Sequence, residues 1–477
     1  MKTYYFLCFW IVAHLVNAQE CSEAIKFRVH STRYITLYSN NEFVGLAQID
    51  SDNEIDELST ISVASSTLAT NERLPKGIFY AGHCSHGNNN RLFFYQPDKS
   101  NSFKLFCINI NAGATEETPI EIATLHCERK QLPKYIHAIE DAQGIHICIP
   151  SYNIGKSNSA IQLLSLDKSL RPVRAKNLTL PYGDNTLETL QILPDSIGNL
   201  FILSKQLQFS RSKNLPARHF LFYYNFQRNA LKEYDLQVQG KNISGAYLTL
   251  TANREVIVGG FYSNDMTMHT AGVFHTTIKP FGGSMAAIKT EPFDETDMHL
   301  FLDQRSKNIV VPDLELDGIV CDDNGISLWG ERRYSTEHSG IDPLTGRVYN
   351  EIRHHNDQIV FARIDTSGIL QFNTIIHKQQ VTSSEAQYMS YHSYHNNNAF
   401  YFAFNDHPSN MGKSRDGSNI WHSSKTFISV CAEISRTAEV IYSPYENTDD
   451  SRIIPRLCNE KMIIRGKDKS IRFCRVK

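Results

Sequence analysis

Residues Thr251–Lys279 read TANREVIVGGFYSNDMTMHTAGVFHTTIK, and they set the pattern for the rest of the chain. A turn at Ala252–Arg254 precedes an apolar strand, Glu255–Tyr262, and a polar loop leads to a second strand, Gly272–Ile278. Short runs of β-branched and aromatic residues bounded by Gly, Asn and Asp are typical of antiparallel strands. Related phrases recur as DAQGIHICIPSYN, DSIGNLFILSK, CDDNGISLWGE, HNNNAFYFAFND and CNEKMIIRGK. The chain therefore repeats one β-rich supersecondary unit.

The spacing of this unit predicts the architecture. Its second strand recurs every 54 to 74 residues, counted at Phe93, Ile147, Phe201, Ile257, Ser327, Tyr401 and Ile463. Repeats of this length with four short strands are typical of propeller blades, and no sustained helical periodicity is present. We therefore expect an all-β fold, a β-propeller of seven four-stranded blades, with six or eight blades as the alternatives.

The two ends of the chain are predicted to meet. The seventh unit has only three strands, and an incomplete sheet leaves an exposed edge. Ile25–Val29 supplies a fourth strand, so we expect the ring to close by its pairing with Ile471–Val476. Under this interpretation residues 1–18 are a signal peptide, residues 19–76 are the closing strand and a linker, and residues 77–477 form the propeller.

The amino end indicates export. Lys2 precedes an apolar run from Tyr4 to Val16, and Val16-Asn17-Ala18 is a small-residue cleavage pattern. This is typical of a secretory signal peptide and too short for a transmembrane helix, although a buried first strand is an alternative. We expect a secreted or otherwise extracytoplasmic protein, in the periplasm, at the cell surface or outside the cell, with no integral membrane segment.

Charge and motifs exclude several function classes. The 48 Lys and Arg residues nearly balance the 50 Asp and Glu residues, and no basic block is present. This argues against nucleic acid and against an anionic membrane surface as partners. The sequence lacks the nucleophile elbow, the zinc-protease motif, the Walker loop and the dinucleotide fingerprint, so we predict no cofactor. We predict no metal either, because no second ligand cluster accompanies His83, Cys84 and His86.

The cysteines leave two interpretations open. Nine remain after removal of the signal, an odd number, and most lie in apolar strand patterns. Buried thiols are the favoured interpretation. Cys458 and Cys474, on neighbouring predicted strands, are the pair to test for a disulfide.

The phrases VIVGGFYSN and ISLWGE resemble Kelch-type and related secreted bacterial β-propellers. The resemblance covers the chain from about Gly77 to its end. The sequence departs from Kelch repeats because the pair Gly259-Gly260 occurs in one unit only, and the tyrosine–tryptophan spacing of that family is not evident. The resemblance implies a propeller fold, and the exported bacterial propellers of this kind carry no assigned activity.

Long loops between second and third strands mark the candidate binding face. They occur in three consecutive units, at Ser263–Ala271, Arg333–Asp357 and Asp406–Lys425, and are rich in His, Arg, Asp and aromatic residues. In a propeller they share a face with the connections between blades, where loops vary on a fixed scaffold. The candidate ligand-binding residues are Tyr262, Asn264, Asp265, Arg332, Tyr334, His338, His354, His355, Asp406, His407, Trp421 and His422.

These observations favour a binding or interaction module for a glycan or a protein partner. The alternative is a propeller-fold glycan-processing hydrolase or lyase, because acid and base groups on different blades need leave no contiguous motif. A structural protein of a surface assembly, and loops that are merely solvated, are the remaining interpretations. No catalytic residue is predicted.

Overall fold

The computed structural model of the chain describes a nearly all-β protein. The described residues are 25–26, 33–39, 43–49, 55–62, 67–73, 77–86, 89–98, 102–111, 114–115, 119–126, 136–140, 144–151, 158–183, 187–195, 199–209, 214–251, 253–266, 269–279, 281–294, 298, 301, 309–341, 347–383, 389–395, 399–410, 428–436, 438–444, 452–453, 461–465 and 470–475.

Within these residues, eight antiparallel sheets follow one another along the chain. The first strand, β1 (Ile25–Lys26), belongs to the last sheet. Sheet 1 contains β2 (Arg33–Ser39), β3 (Phe43–Ile49), β4 (Ile55–Ser62) and β5 (Thr67–Arg73). Sheet 2 contains β6 (Phe79–His86), β7 (Asn89–Pro97), β8 (Ser102–Asn111), the short β9 (Ala114–Thr115) and β10 (Ile120–His126). Sheet 3 contains β11 (His137–Glu140), β12 (Ile145–Ser151), β13 (Asn158–Leu166) and β14 (Pro172–Gly183).

Sheets 4 to 6 form the central part of the chain. Sheet 4 contains β15 (Leu187–Pro194), β16 (Leu200–Phe209), β17 (Asn214–Asn225) and β18 (Ala230–Leu236). Sheet 5 contains β19 (Asn242–Leu250), β20 (Val256–Ser263), β21 (Gly272–Ile278) and β22 (Lys289–Pro292). Sheet 6 contains β23 (Leu314–Asp322), β24 (Gly325–Ile341), β25 (Val348–Ile364), β26 (Leu370–Ile376) and the short β27 (Gln380–Thr382).

The last two sheets are shorter. Sheet 7 contains β28 (Tyr391–His395), β29 (Phe400–Asp406), β30 (Ile428–Ile434) and β31 (Val440–Pro444), with a 3-10 turn at Pro408–Asn410. Sheet 8 contains β32 (Arg452–Ile453), β33 (Lys461–Arg465) and β34 (Ser470–Arg475), to which β1 is added.

The number of sheets differs from the sequence expectation. Residues 33–73, which we interpreted as part of a linker, pair as the four strands of sheet 1, so the described sheets number eight rather than seven. The physical reason is composition. Strands such as IDELSTIS and TLATNER are polar and lack the apolar run that marks the other units. At the other end, Ile25 and Lys26 pair antiparallel with Ile471 and Ser470.

The core lies between neighbouring sheets. Phe201 and Tyr223 of sheet 4 share one buried cluster with Val258 and Phe274 of sheet 5. Further clusters join sheet 2 to sheet 3, sheet 3 to sheet 4, sheet 5 to sheet 6, and sheet 6 to sheet 7. Four-stranded sheets that pack face to face in chain order are the arrangement of a β-propeller.

The repeated acidic phrase has a local cause. Asp195 Oδ1 accepts the backbone N–H of Asn199 at 2.9 Å, and Asp322 Oδ1 accepts that of Asn324 at 2.8 Å. Asp365 Oδ1 accepts the N–H of Ser367 at 2.9 Å in the same way. Such side-chain bonds stabilise tight turns. Asp195, Asp322 and Asp365 are therefore turn residues.

Two faces follow from this connectivity. The turns that join first to second and third to fourth strands lie at one end of every sheet, which we name the turn face. The second-to-third connections and the links between sheets lie at the other end, which we name the crossing face. The predicted binding residues that the structure describes belong to the crossing face.

The prediction that Arg333–Asp357 forms a loop is wrong. β24 and β25 are 17 residues long each and continue through most of this segment as a paired hairpin, with Arg333 opposite Asn356 and Ile341 opposite Val348. Its residues are polar because neither side of the hairpin packs into a core. They still include the aromatic and β-branched residues that favour strands.

Four of the five cysteines whose side chains the structure describes are buried, as the sequence favoured, and Cys321 is partly exposed. Cys84, Cys107, Cys148 and Cys431 are buried thiols, and burial raises the pKa of Cys84 and Cys107 to about 12. Cys458 lies outside the described residues, as does the signal segment, so the proposed disulfide stays a prediction. None of the helical segments in the described part of the chain has the length and apolar character of a membrane span.

Candidate functional site

Three of the candidate residues meet at the base of the sheet 6 hairpin. Tyr334 and His355 lie directly opposite each other, and their rings stack with centroids 4.4 Å apart and planes 6° apart. The Arg332 guanidinium lies 5.4 Å from the centre of the Tyr334 ring. The tyrosine ring is therefore covered by its own neighbours and is not a free platform for a sugar.

A buried carboxylate supports this stack. The Tyr334 hydroxyl donates to Asp357 Oδ2 at 2.8 Å, and Asp357 is only 3% exposed. Burial and this hydrogen bond raise the pKa of Tyr334 to about 12, so the phenol remains a donor at neutral pH. The second carboxylate oxygen of Asp357 is buried without a hydrogen-bond partner among the described residues.

The other two hairpin histidines occupy different surroundings. His338 is exposed further along the arm, and its Nε2 lies 3.2 Å from Thr336 Oγ1. The same hydroxyl lies 2.8 Å from His355 Nε2, which links the two histidines through one threonine. His354 is exposed and contacts Ser335. Because neighbours on a strand point to opposite sides, His354 and His355 do not act together.

Beneath the hairpin lies a buried ionic network that sequence reasoning missed. Glu331 and Lys378 are fully buried and form an ion pair. Lys378 Nζ also donates to the carbonyl of Asn356 at 2.9 Å and to Gln380 Oε1 at 3.0 Å. Arg333 Nε donates to the other carboxylate oxygen of Glu331 at 2.8 Å. These bonds fasten the base of the hairpin to the body of sheet 6.

Arg333 extends the network toward the first strands of sheets 6 and 7. Its guanidinium binds Asp317 of β23 through two bonds of 2.6 and 2.9 Å. The Tyr391 hydroxyl, on β28, donates to Asp317 at 2.6 Å. Burial raises the pKa of Asp317, although the contacts with Arg333 act in the opposite direction. The side chain of Asp317 is 20% exposed. A partly exposed carboxyl with a perturbed pKa is a candidate acid–base group.

A weak sequence signal for this cluster does exist. Asp317 interrupts the apolar strand pattern LELDGIV. A charged residue in such a strand must find a partner or lose its charge. The partners lie on other strands, so the pattern marks the residue without identifying what it contacts.

In sheet 5 the candidate residues divide between the core and the surface. Tyr262 is 1% exposed, and the Lys241 ammonium lies 3.8 Å from the centre of its ring. Asn264 and Asp265 are exposed, and the Asp265 carbonyl accepts Asn242 Nδ2 at 2.8 Å. The prediction that Tyr262 faces a ligand is therefore wrong, because its strand is buried on both sides.

A pocket of about 510 Å³ lies on the crossing face between sheets 4 and 5, beside this loop. Met266 and Asn242 line it, as does His219 of β17, which is 4% exposed. Burial, and then the charge of Lys205, lower the pKa of His219 to about 4. The imidazole is therefore neutral near pH 7, and its Nδ1 is buried without a partner among the described residues.

In sheet 7 the candidate residues are structural where they are described. Asp406 is 3% exposed, and its Oδ1 accepts the N–H of His407 at 2.8 Å and Asn410 Nδ2 at 2.7 Å. These bonds close the 3-10 turn at the end of β29. Trp421 and His422 lie outside the described residues. The candidate set thus falls into separate groups, each held by its own contacts.

Metal binding has no ready site in the described part of the chain. Among those residues, no group of three or more His, Cys, Asp or Glu side chains is placed to hold an ion. His83 is exposed and its Nδ1 lies 2.8 Å from the Tyr80 hydroxyl, whereas Cys84 is buried.

Comparisons with known proteins give structural similarities only. No family model matches the sequence, and no curated protein matches it. The WD40 domain of SCAP from fission yeast is 9% identical, with 93% of this chain and 98% of that chain covered and a TM-score of 0.43. The polysaccharide lyase Uly1 is 10% identical, with 83% and 89% covered and a TM-score of 0.38. A virginiamycin B lyase from Staphylococcus aureus is 12% identical, with 83% and 95% covered and a TM-score of 0.35.

Proposed function

We propose that this protein is an exported β-propeller that binds a partner protein through the sheet 6 hairpin. Residues 1–18 direct export. The pairing of β1 with β34, which places both chain ends in one sheet, supports closure of the eight sheets into a ring. The Kelch-type resemblance of the repeated phrases supports the same architecture.

The projecting hairpin is the observation that carries the proposal. β24 pairs with β23 only as far as Arg332, and β25 pairs with β26 only from Ile359 onward. Residues 333–341 and 348–356 therefore extend beyond the body of the sheet, apart from a short contact with β27. At a rise of about 3.3 Å per residue, the arm is roughly 30 Å long.

Three aliphatic side chains lie exposed on the outer part of an otherwise polar arm. Ile341, Val348 and Ile352 are 68%, 72% and 54% exposed. Ile341 is opposite Val348, and Ile352 lies four residues along the same strand, so all three share one side. Aliphatic side chains grouped on one exposed surface are typical of protein contacts.

Main-chain groups add to this preference. The outer edge of β24 beyond Arg332 has no further strand partner among the described residues. The same holds for the outer edge of β25 on the hairpin-tip side of His354. Free strand edges accept an added strand from another protein, which gives backbone hydrogen bonds that a glycan does not offer. The one aromatic stack of the described hairpin base is internal, which also disfavours a sugar ligand here.

The buried network below the hairpin makes the arm suitable for binding. Lys378 and Glu331 hold its base in one position, and the Tyr334 stack stiffens the first cross-strand pairs. A preformed surface loses less conformational entropy on association than a mobile loop. The ionic network therefore supports binding without contacting the partner itself.

A matched pair of triple variants tests the proposal. Ile341→Ser, Val348→Ser and Ile352→Ser remove the apolar side of the arm. The control carries Val173→Ser, Ile369→Ser and Ile441→Ser. These positions lie away from the arm and are 61%, 56% and 46% exposed. Purified wild type and both variants are used as baits for proteins of the host's culture medium and surface extract, and each captured protein is then titrated in purified form. We expect binding to be lost in the arm variant alone. Equal binding by the two variants would refute the proposal.

A specific observation also supports a second candidate, a glycan hydrolase or lyase. Asp317 has a raised pKa and is partly exposed. Tyr391 and Arg333 lie within hydrogen-bond distance of its carboxylate. A carboxyl, a phenol and a guanidinium together offer acid–base groups and charge stabilisation. Turnover of a polysaccharide panel that Asp317→Asn abolishes would favour this function. Absence of turnover on the panel would remove it.

A further inference from the structure

A separate pocket lies on the turn face, at the end of the sheets opposite the hairpin. It has a volume of about 320 Å³ and opens between sheets 6 and 7. Asp322 and Arg363 of sheet 6 line it, together with Phe400 of sheet 7. No predicted binding residue belongs to it. Small-molecule pockets range from about 300 to 1,000 Å³, so this one suits a small ligand.

Arg363 is the charged group at the inner end of the pocket. It is 7% exposed and lies in the interface between the two sheets, next to the fully buried Phe361 two residues away. Its Nη1 donates to Ser327 Oγ and its Nη2 to Asp322 Oδ1, both at 2.5 Å. A guanidinium has five N–H donors. These two contacts hold the group in place and leave donors for a ligand.

The carboxylates supply acceptors beside these donors. Asp322 Oδ1 accepts hydrogen bonds from Arg363 and from the Asn324 N–H, and the Asp322 side chain lines the pocket. Asp365 caps its own turn through Oδ1. Gln371, an exposed lining residue, adds an amide that both donates and accepts. The lining of one small cavity therefore offers both donors and acceptors.

An aromatic wall completes the pocket. Phe361 packs against Phe372 with centroids 6.0 Å apart and against Phe400 with centroids 4.8 Å apart. Phe372 and Phe400 are partly exposed, and His395 stacks on Phe400 at 5.5 Å. Flat apolar surfaces next to paired donors and acceptors match a ring that has apolar C–H faces and hydroxyl edges.

We propose that this turn-face pocket binds a neutral sugar unit of monosaccharide to disaccharide size. Each sugar hydroxyl donates and accepts, which suits the mixture of Arg363, Asp322 and Gln371. Arg363 is already paired with Asp322, and the two arginines of the lining, Arg363 and Arg436, are balanced by Asp322 and Asp365, so a carboxylated ligand gains no net charge attraction here. The site is independent of the protein-binding arm and lies at the opposite face.

Ligand-observed saturation-transfer NMR on the full chain tests the site. The probes are glucose, galactose, mannose, N-acetylglucosamine, maltose and cellobiose, with glucuronate and benzoate as anionic comparisons. Gln371→Trp fills the pocket from an exposed position, and Arg363→Gln removes the charge while supplying a neutral amide donor. Val173→Trp places the same bulky ring at an exposed strand position of sheet 3 and is the matched control. Melting temperatures of all variants establish that each is folded.

The expected result is saturation transfer to at least one neutral sugar. Gln371→Trp abolishes the sugar signal, and Val173→Trp leaves the signal unchanged. Arg363→Gln raises the dissociation constant of the sugar about tenfold, which corresponds to about 1.4 kcal/mol. Three results would overturn the proposal: no neutral sugar binds, the signal persists in Gln371→Trp, or benzoate or glucuronate binds where the neutral sugars do not. The triple-serine arm variant retains sugar binding, which separates this site from the proposed protein interface.

Discussion

Replacing Lys378 by methionine is expected to destabilise the protein strongly. Lys378 is fully buried and is the partner of Glu331 Oε1, an oxygen that has no hydrogen bond from any other described group. Methionine keeps most of the side-chain volume and removes the ammonium. Glu331 then retains Arg333, Asn356 and Ser390 at its second oxygen, while its first oxygen is left buried without a partner.

The magnitude follows from the cost of breaking a buried ion pair by removing one member, about 3–5 kcal/mol. The entropy of unfolding is about 2.1 cal/mol/K per residue. For the 477-residue chain this is roughly 1 kcal/mol/K, so a loss of about 4 kcal/mol lowers the melting temperature by about 4 °C. Burial lowers the pKa of Lys378, and the nearby charge of Glu331 opposes this shift. The charge of the ammonium therefore depends on Glu331 lying beside it.

Differential scanning calorimetry provides the measurement, and the chain offers a matched control. Lys104 and Glu121 form an ion pair of 2.8 Å whose side chains are 41% and 43% exposed. Exposed pairs of this kind contribute little to stability. Lys104→Met is therefore expected to leave the melting temperature nearly unchanged. A similar loss in both variants, or no loss in Lys378→Met, would show that the buried network does not hold the hairpin base.

Three further predictions concern single side chains. Tyr334→Phe removes the hydrogen bond to the buried carboxylate of Asp357 and is expected to cost about 1–3 kcal/mol in urea unfolding; an unchanged midpoint would contradict the assigned contact. The pKa of His219 is about 4 in the folded protein and lies near 6.5 when exposed, so its contribution to stability is complete above pH 6.5 and is lost as the pH falls toward 4. At full protonation the loss is about 3 kcal/mol, and His219→Phe should reduce the drop in stability between pH 7 and pH 4.5; parallel pH curves for the two proteins would refute this. A methyl group at Gly260 would lie 1.9 Å from the carbonyl oxygen of Gly245, so Gly260→Ala is expected to reduce the yield of folded protein, and full yield with an unchanged melting temperature would contradict the close approach.

The boundaries of most sheets were predictable because turn signals are local. Asp322 and Gly325 bracket a turn whose geometry depends on those residues themselves, and Gly325 has the positive φ of 135° that the Asn-Gly phrase predicts. Sheet 1 was missed as a unit because two of its strands, β4 and β5, are polar and the segment carries no such phrase. The hairpin was read as a loop because a strand away from the core loses the apolar alternation on which strand prediction depends.

The candidate residues show the same division. Arg332, Tyr334 and His355 were identified from the composition of one long insert, and their contact follows from the register of two neighbouring strands. Tyr262 was misplaced because a strand buried on both sides gives no sign of which side faces a ligand.

What the sequence determined by itself is the succession of short antiparallel strands and the polar residues that end them, because both depend on neighbours a few positions away. Only the tertiary structure decided which charged groups meet. Tyr391 and Asp317 are 74 positions apart, and Ser390 and Glu331 are 59 apart. Such pairs form because packing one sheet against the next removes water from both side chains, and a buried charge must then bind whatever polar group the neighbouring sheet presents.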